Sequence, residues 1–207
     1  MSGLRVLSVV AAAACATAPA HPAAPPPPAA PPAAQTYTPA DVAFMSGMIA
    51  HHAQAVLIAG WAPAHGASPE LRALCSRIVV GQRDEIAAMQ AWLAQRHEPV
   101  PDAEPRNHMM PGMDHALLMP GMLTEAQLAR LDSAQGPDFD RLFLTDMIQH
   151  HRGALTMVRA LIDTPRGARD GLLFQVVSDI SADQTAEIDR MTRMLDALSH
   201  TPQRSPL

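Results

Sequence analysis

Lysine is absent from this chain of 207 residues, and aromatic side chains make up only 3% of it. Positive charge therefore rests on scattered Arg, and the net charge is −5. No basic stripe results, which argues against nucleic acid as a partner. Scarce aromatics beside abundant Ala, Leu and Met favour helices over sheets. Cysteine is limited to Cys15 and Cys75. With the first in a leader segment no disulfide framework can form, and Cys75 reads as a small buried helix residue. The apolar run at residues 6–14 is too short to span a bilayer as a permanent helix. What the chain does have is 13 Met and 10 His. Met alone serves as soft core filler, so the positions of Met and His decide their meaning.

Residues 1–18 read as an export signal, with Arg5 at the positive end, an apolar run and then small residues. Cys15 after a run of Ala resembles a bacterial lipoprotein cleavage site, although Ala12 stands where Leu is usual. Two outcomes stay open: a lipidated Cys15 that tethers the protein to a membrane, or ordinary cleavage nearby. Either way the expected location is outside the cytoplasm: periplasm, cell surface or medium. Residues 19–36 are a Pro/Ala-rich tether of extended, polyproline-like chain. The folded part is expected at residues 37–199, with a tail at 200–207.

Four long helices are predicted within it. Thr38, Pro39 and Asp41 start the first, which runs to about Trp61. Ser68, Pro69 and Glu70 start the second, which runs to about Arg96. The third spans about 138–163 and the fourth about 171–199, with a short connector helix begun by a Thr124 cap. The two hairpins are copies of one another. Asp41, Phe44, Met48, Ile49, His51, His52 and Ala55 recur 99 residues later as Asp140, Phe143, Met147, Ile148, His150, His151 and Ala154. In the partner helices Ile78, Gln82, Glu85, Ile86, Met89 and Leu93 recur after 102 residues as Ile180, Gln184, Glu187, Ile188, Met191 and Leu195. The mismatch places a small insertion in the second hairpin loop. Two such hairpins bury their apolar stripes against each other as an all-α, antiparallel four-helix bundle with approximate two-fold symmetry.

The histidines interrupt apolar stripes at three-four spacing, so neither member of a pair has a solvated side to face. Adjacent helix positions diverge by about 100°, so one His of each pair can point at the bundle axis and the other at a neighbouring helix. On the partner helices Gln82, Glu85, Gln184 and Glu187 occupy positions where apolar residues belong. Buried carboxylates and imidazoles need partners. One solution is a polar network that fixes helix register, in a bundle that acts as an interaction module without metal; another is a metal ion. The motif occurs twice, with Met48 and Met147 a turn before the histidines; imidazole with carboxylate suits divalent transition metals such as Cu(II), and imidazole with thioether suits Cu(I) and Ag(I). The connector adds His108, Met109, Met110, Met113, His115, Met119 and Met122, with Met-Pro-Gly-Met occurring twice. It reads either as a lid packed over the end of the bundle or as a flexible thioether site.

The doubled Met-Ile-x-His-His-x-x-Ala, each copy followed by Gln-x-x-Glu-Ile-x-x-Met, with Met-Pro-Gly-Met-Leu-Thr between, resembles the DUF305 family over residues 37–198. The resemblance implies a ferritin-like four-helix fold and kinship with CopM-type copper-binding proteins. It implies an exported protein that binds copper or silver and contributes to metal tolerance. The His pairs, their preceding Met and the facing Gln and Glu are the residues carried over. Met157 matches a further Met of the family pattern, but the first copy has Ile58 there, so the halves are expected to differ. An enzyme is not expected: a ferritin-like di-metal oxidase would need Glu-x-x-His on two helices, and neither is present. Self-association as a homodimer is left open.

Overall fold

Helix α1 (Pro39–Gly60) begins at a capping box, where Thr38 accepts from the Asp41 N–H and Asp41 accepts from the Thr38 backbone. Ser68 caps α2 (Pro69–Gln95) by accepting from Leu71 N–H, with Pro69 in the first turn. A second capping box, Thr124 with Gln127, starts the short α3 (Glu125–Ser133). Helices α4 (Gly136–Ile162) and α5 (Gly171–His200) complete the set. The computed structural model describes residues 36–103 and 119–200, all helix and connecting chain without strand. The leader, the tether, Cys15 and the tail beyond His200 lie outside the described residues.

Helix α1 packs along α2 and α4 along α5; α1 lies against α4, α2 against α5, and α3 lies on α4. This is the expected four-helix bundle. Asp41 and Asp140, counterparts in the repeat, bind it crosswise. Asp41 Oδ1 accepts from Ala168 N–H at 2.8 Å in the α4–α5 connection, and both Asp140 oxygens accept from Ser68 N–H at 3.2 Å in the α1–α2 connection. Each half thus clasps the hairpin turn of the other. The insertion is not in a loop. The connections at 61–68 and 163–170 are equally long, and the extra residues lengthen α4 beyond its histidines. Three residues are almost one helical turn, so the added length leaves the buried face nearly in register.

The core is two cores. One gathers Ile58, Leu71, Leu74, Ile78, Leu131, Phe139, Phe143 and Met147. The other gathers Phe44, Met48, Ile49, Met89, Leu93, Val158, Leu173 and Ile180. On each of α1, α2, α4 and α5 the residues between them are the polar ones singled out above, so a polar layer cuts the bundle between the two clusters. Cys75 is a free, buried thiol in the first cluster, pushed up to about 12 by burial above all. Helix α1 is long and apolar enough to cross a membrane, but most of that stretch is buried in the bundle, as a core helix requires.

Candidate metal centre

His51, His52, His150 and His151 are completely buried. The central pair is His51 and His150, one from each half, with ring centroids 3.9 Å apart and planes tilted by 41°. The flanking pair turn to the partner helices. His52 Nε2 donates to Glu85 Oε2 at 2.7 Å, and His151 Nε2 to Glu187 Oε2 at 2.6 Å. One His of each pair therefore points at the axis and one at a neighbouring helix, as the 100° step requires.

The protons can be placed by chemistry. His51 Nε2 lies 3.0 Å from the Pro120 carbonyl, which can only accept, so that nitrogen carries the proton. Its Nδ1 then bears a lone pair. In His52 and His151 the carboxylates fix the same tautomer. All four Nδ1 atoms are buried without a hydrogen-bond partner, and His150 Nε2 is too. Gln82 lacks a partner at both amide atoms, as do Gln184 at Oε1 and Glu85 at Oε1. Buried polar groups are almost always paired, and here the exceptions, apart from Asp146 Oδ2, crowd into one layer. Burial, reinforced by the neighbouring His52, holds the His51 pKa down to about 3, against the pull of the Pro120 carbonyl. His150 lies well below its ordinary value, first by burial and then by the charges of His51, His151 and His52. Both imidazoles are neutral bases at neutral pH.

Residues 119–123 cross the α1/α4 flank at the height of this layer and not over the end of the bundle. Gln54 pins them with two hydrogen bonds to Leu123, from Nε2 to the carbonyl at 3.1 Å and from the Leu123 N–H to Oε1 at 2.7 Å. Gly153 lets them approach: a Cβ there would lie 2.0 Å from the Pro120 oxygen and 2.5 Å from Gly121 Cα. Gly121 itself has φ of 80°, a left-handed geometry that favours Gly. Met119 sulfur and the Met157 methyl both border the Cα of Gly47. Gln54, Pro120, Gly121 and Gly153 were missed from sequence. The available signal was failure of the repeat, since Gln54 aligns with Gly153, Gly47 with Asp146 and Ile58 with Met157. The connector crosses where the two copies differ.

Of the remaining sequence candidates, Met48 and Met147 are buried, one in each apolar cluster bordering the layer. Met122 is buried at the connector crossing and Met157 is half-buried. His108, Met109, Met110, Met113 and His115 lie outside the described residues. Among the described residues no three His, Cys, Asp or Glu side chains already converge as a metal cage. The layer holds a close, tilted imidazole pair and two closed His–Glu pairs. Side-chain rotation would have to bring the lone pairs together around an ion.

The DUF305 family, a domain of unknown function, matches residues 41–195. The chain belongs to that family. A DUF305 protein from Streptomyces coelicolor is 25% identical, with TM-score 0.65 over 80% of this chain and 98% of its own. A DUF305 fragment from Deinococcus radiodurans is 28% identical, with TM-score 0.66 over 78% and 98%. CopM in its Cu(II)-bound form is 30% identical, with TM-score 0.61 over 76% and 96%. CopM has also been solved with Cu(I) and with silver, at TM-scores of 0.57. No curated protein matches.

Proposed function

We propose that this DUF305 protein binds Cu(I) or Ag(I) through the polar layer, outside the cytoplasm, and serves metal tolerance or trafficking rather than catalysis. The observation that carries the reading is the set of four buried, unpartnered imidazole Nδ1 atoms in one layer. Metal binding needs neutral imidazoles, and burial keeps His51 and His150 neutral. Glu85 and Glu187, bonded to the far nitrogens of His52 and His151, stand where carboxylates orient metal-ligating imidazoles. Thioethers of Met48 and Met147 border the layer, and imidazole with thioether suits soft monovalent ions. The copper- and silver-bound forms of CopM, a distant relative, point the same way. The leader sequence supports export.

The test is competition against a chromophoric Cu(I) chelator. The purified chain withdraws Cu(I), and a His51→Gln/His150→Gln variant that keeps its helix content binds about 10-fold or more weakly. Equal competition by parent and variant would remove the central pair from the site. The second reading is a metal-free register layer, favoured by the two His–Glu pairs that close without an ion. It predicts that neither chain competes.

A further inference from the structure

The polar layer has two flanks, and they differ. On the α1/α4 side it is sealed by backbone: the Pro120 carbonyl caps His51, and Gly153 and Gln54 hold the crossing chain in place. Among the described residues no such strap crosses the α2/α5 side. Glu85 and Glu187 are the members of the layer whose side chains reach solvent, 14% and 21% exposed. The four histidines are sealed, and Gln82 and Gln184 are exposed by only 3% and 1%. Beside the layer, toward the second cluster, a groove of about 280 Å³ lies between α2 residues 88–95 and α5 residues 172–179; Asp179 is in its lining and no layer residue is. Asp183, exposed on α5, feels the charges of Glu85, Glu187 and Asp179 together.

Four carboxylates thus share one flank, and among the described residues no Arg is paired with Asp179 or Asp183. Helical like-charge neighbours at this spacing oppose folding, so the grouping is a cost that the bundle alone does not explain. Oxygens continue inward from it. Glu85 Oε1, Gln82 Oε1 and Gln184 Oε1 are buried without partners, one helical turn or less from those acids along α2 and α5. From this flank Glu85 and Glu187, part-exposed, reach inward to bond His52 and His151.

We infer that metal cations reach the imidazole layer from the α2/α5 flank, with Asp183 and Asp179 as the docking carboxylates and the oxygens of Glu85, Gln82 and Gln184 as the inner steps. The port rests on the reading that the layer binds metal, and it adds a direction and a positioning role for Asp183, which ligates nothing in the final site. Charge at the mouth of a cleft raises the arrival rate of an oppositely charged ion, and salt weakens the effect.

Stopped-flow tryptophan fluorescence with silver nitrate tests it on the full chain, in nitrate buffers at low and high ionic strength. Asp179→Asn/Asp183→Asn is expected to load Ag(I) about 10-fold more slowly at low salt. The difference from the parent shrinks at high salt, and the bound stoichiometry is unchanged. Glu125→Gln/Asp138→Asn, two exposed acids elsewhere with the same change in net charge, is expected to load at the parental rate. Parental loading by the first variant at low salt, or equal slowing by both, overturns the port. If the parent itself takes up no Ag(I), the metal-binding reading fails, and the port with it.

Discussion

Gly153 shows how much a single missing methyl group decides here. Its Cα touches the backbone of Pro120 and Gly121, and the Pro120 carbonyl is what fixes the His51 tautomer. Gly153→Ala is expected to expel that strand at a cost of about 1–3 kcal/mol, as overpacking does, measurable by urea denaturation. Unchanged stability would mean that the crossing chain is not held there. Asp170 is a second pivotal residue. It accepts from Trp92 Nε1, Arg96 and the Leu172 and Leu173 N–H groups at the start of α5. Burial alone would raise its pKa, but these donors outweigh burial and hold it at about 2. A carboxylate depressed in the folded state stabilises fully above its unfolded pKa, about 3.9. That contribution is lost as pH falls through about 2. The Asp170→Asn penalty should therefore be constant near neutrality and shrink between about pH 4 and 2 in denaturation curves. A pH-independent penalty would contradict the assignment.

At the scale of elements, the helices were legible because their signals are local. Thr38, Ser68 and Thr124 cap the helices their sequences announce. His51, Glu85, His150 and Glu187 stood out because they break stripes that are otherwise apolar. The insertion was misplaced because loops are the usual home of extra residues, whereas a nearly whole turn added to α4 left no local mark. Gly47, Gln54 and Gly153 left no periodic signal, since a distant backbone crossing has no periodicity along the helix it crosses; only the mismatch between the repeats marked them. The glutamines interrupting α2 and α5 also carry an energetic prediction. Gln82 buries two amide atoms without partners, each costing about 1–3 kcal/mol. Gln82→Leu should therefore raise the stability of the metal-free chain in urea denaturation while weakening Cu(I) binding. A destabilised metal-free variant would show that Gln82 has partners after all.

For the whole molecule, duplication supplies near-symmetry and the connector breaks it. Asp41 and Asp140 each clasp the other half's hairpin turn, at turn positions two residues apart in the repeat, and the two His–Glu pairs are equivalent. At Gly47, Gln54 and Ile58 the copies diverge, and that flank is the one the connector closes. The bundle thus keeps a polar layer between two dry clusters, sealed on one flank and acidic on the other. Such a layer costs stability, and a bound soft metal ion would offset the cost. Anomalous diffraction at the copper edge, from crystals grown with Cu(I) under reducing conditions, decides between the two states. The expected result is a peak within bonding distance of imidazole nitrogens from both His51 and His150. Copper found only at the protein surface, with the two rings still 3.9 Å apart and unligated, would refute metal binding by the layer.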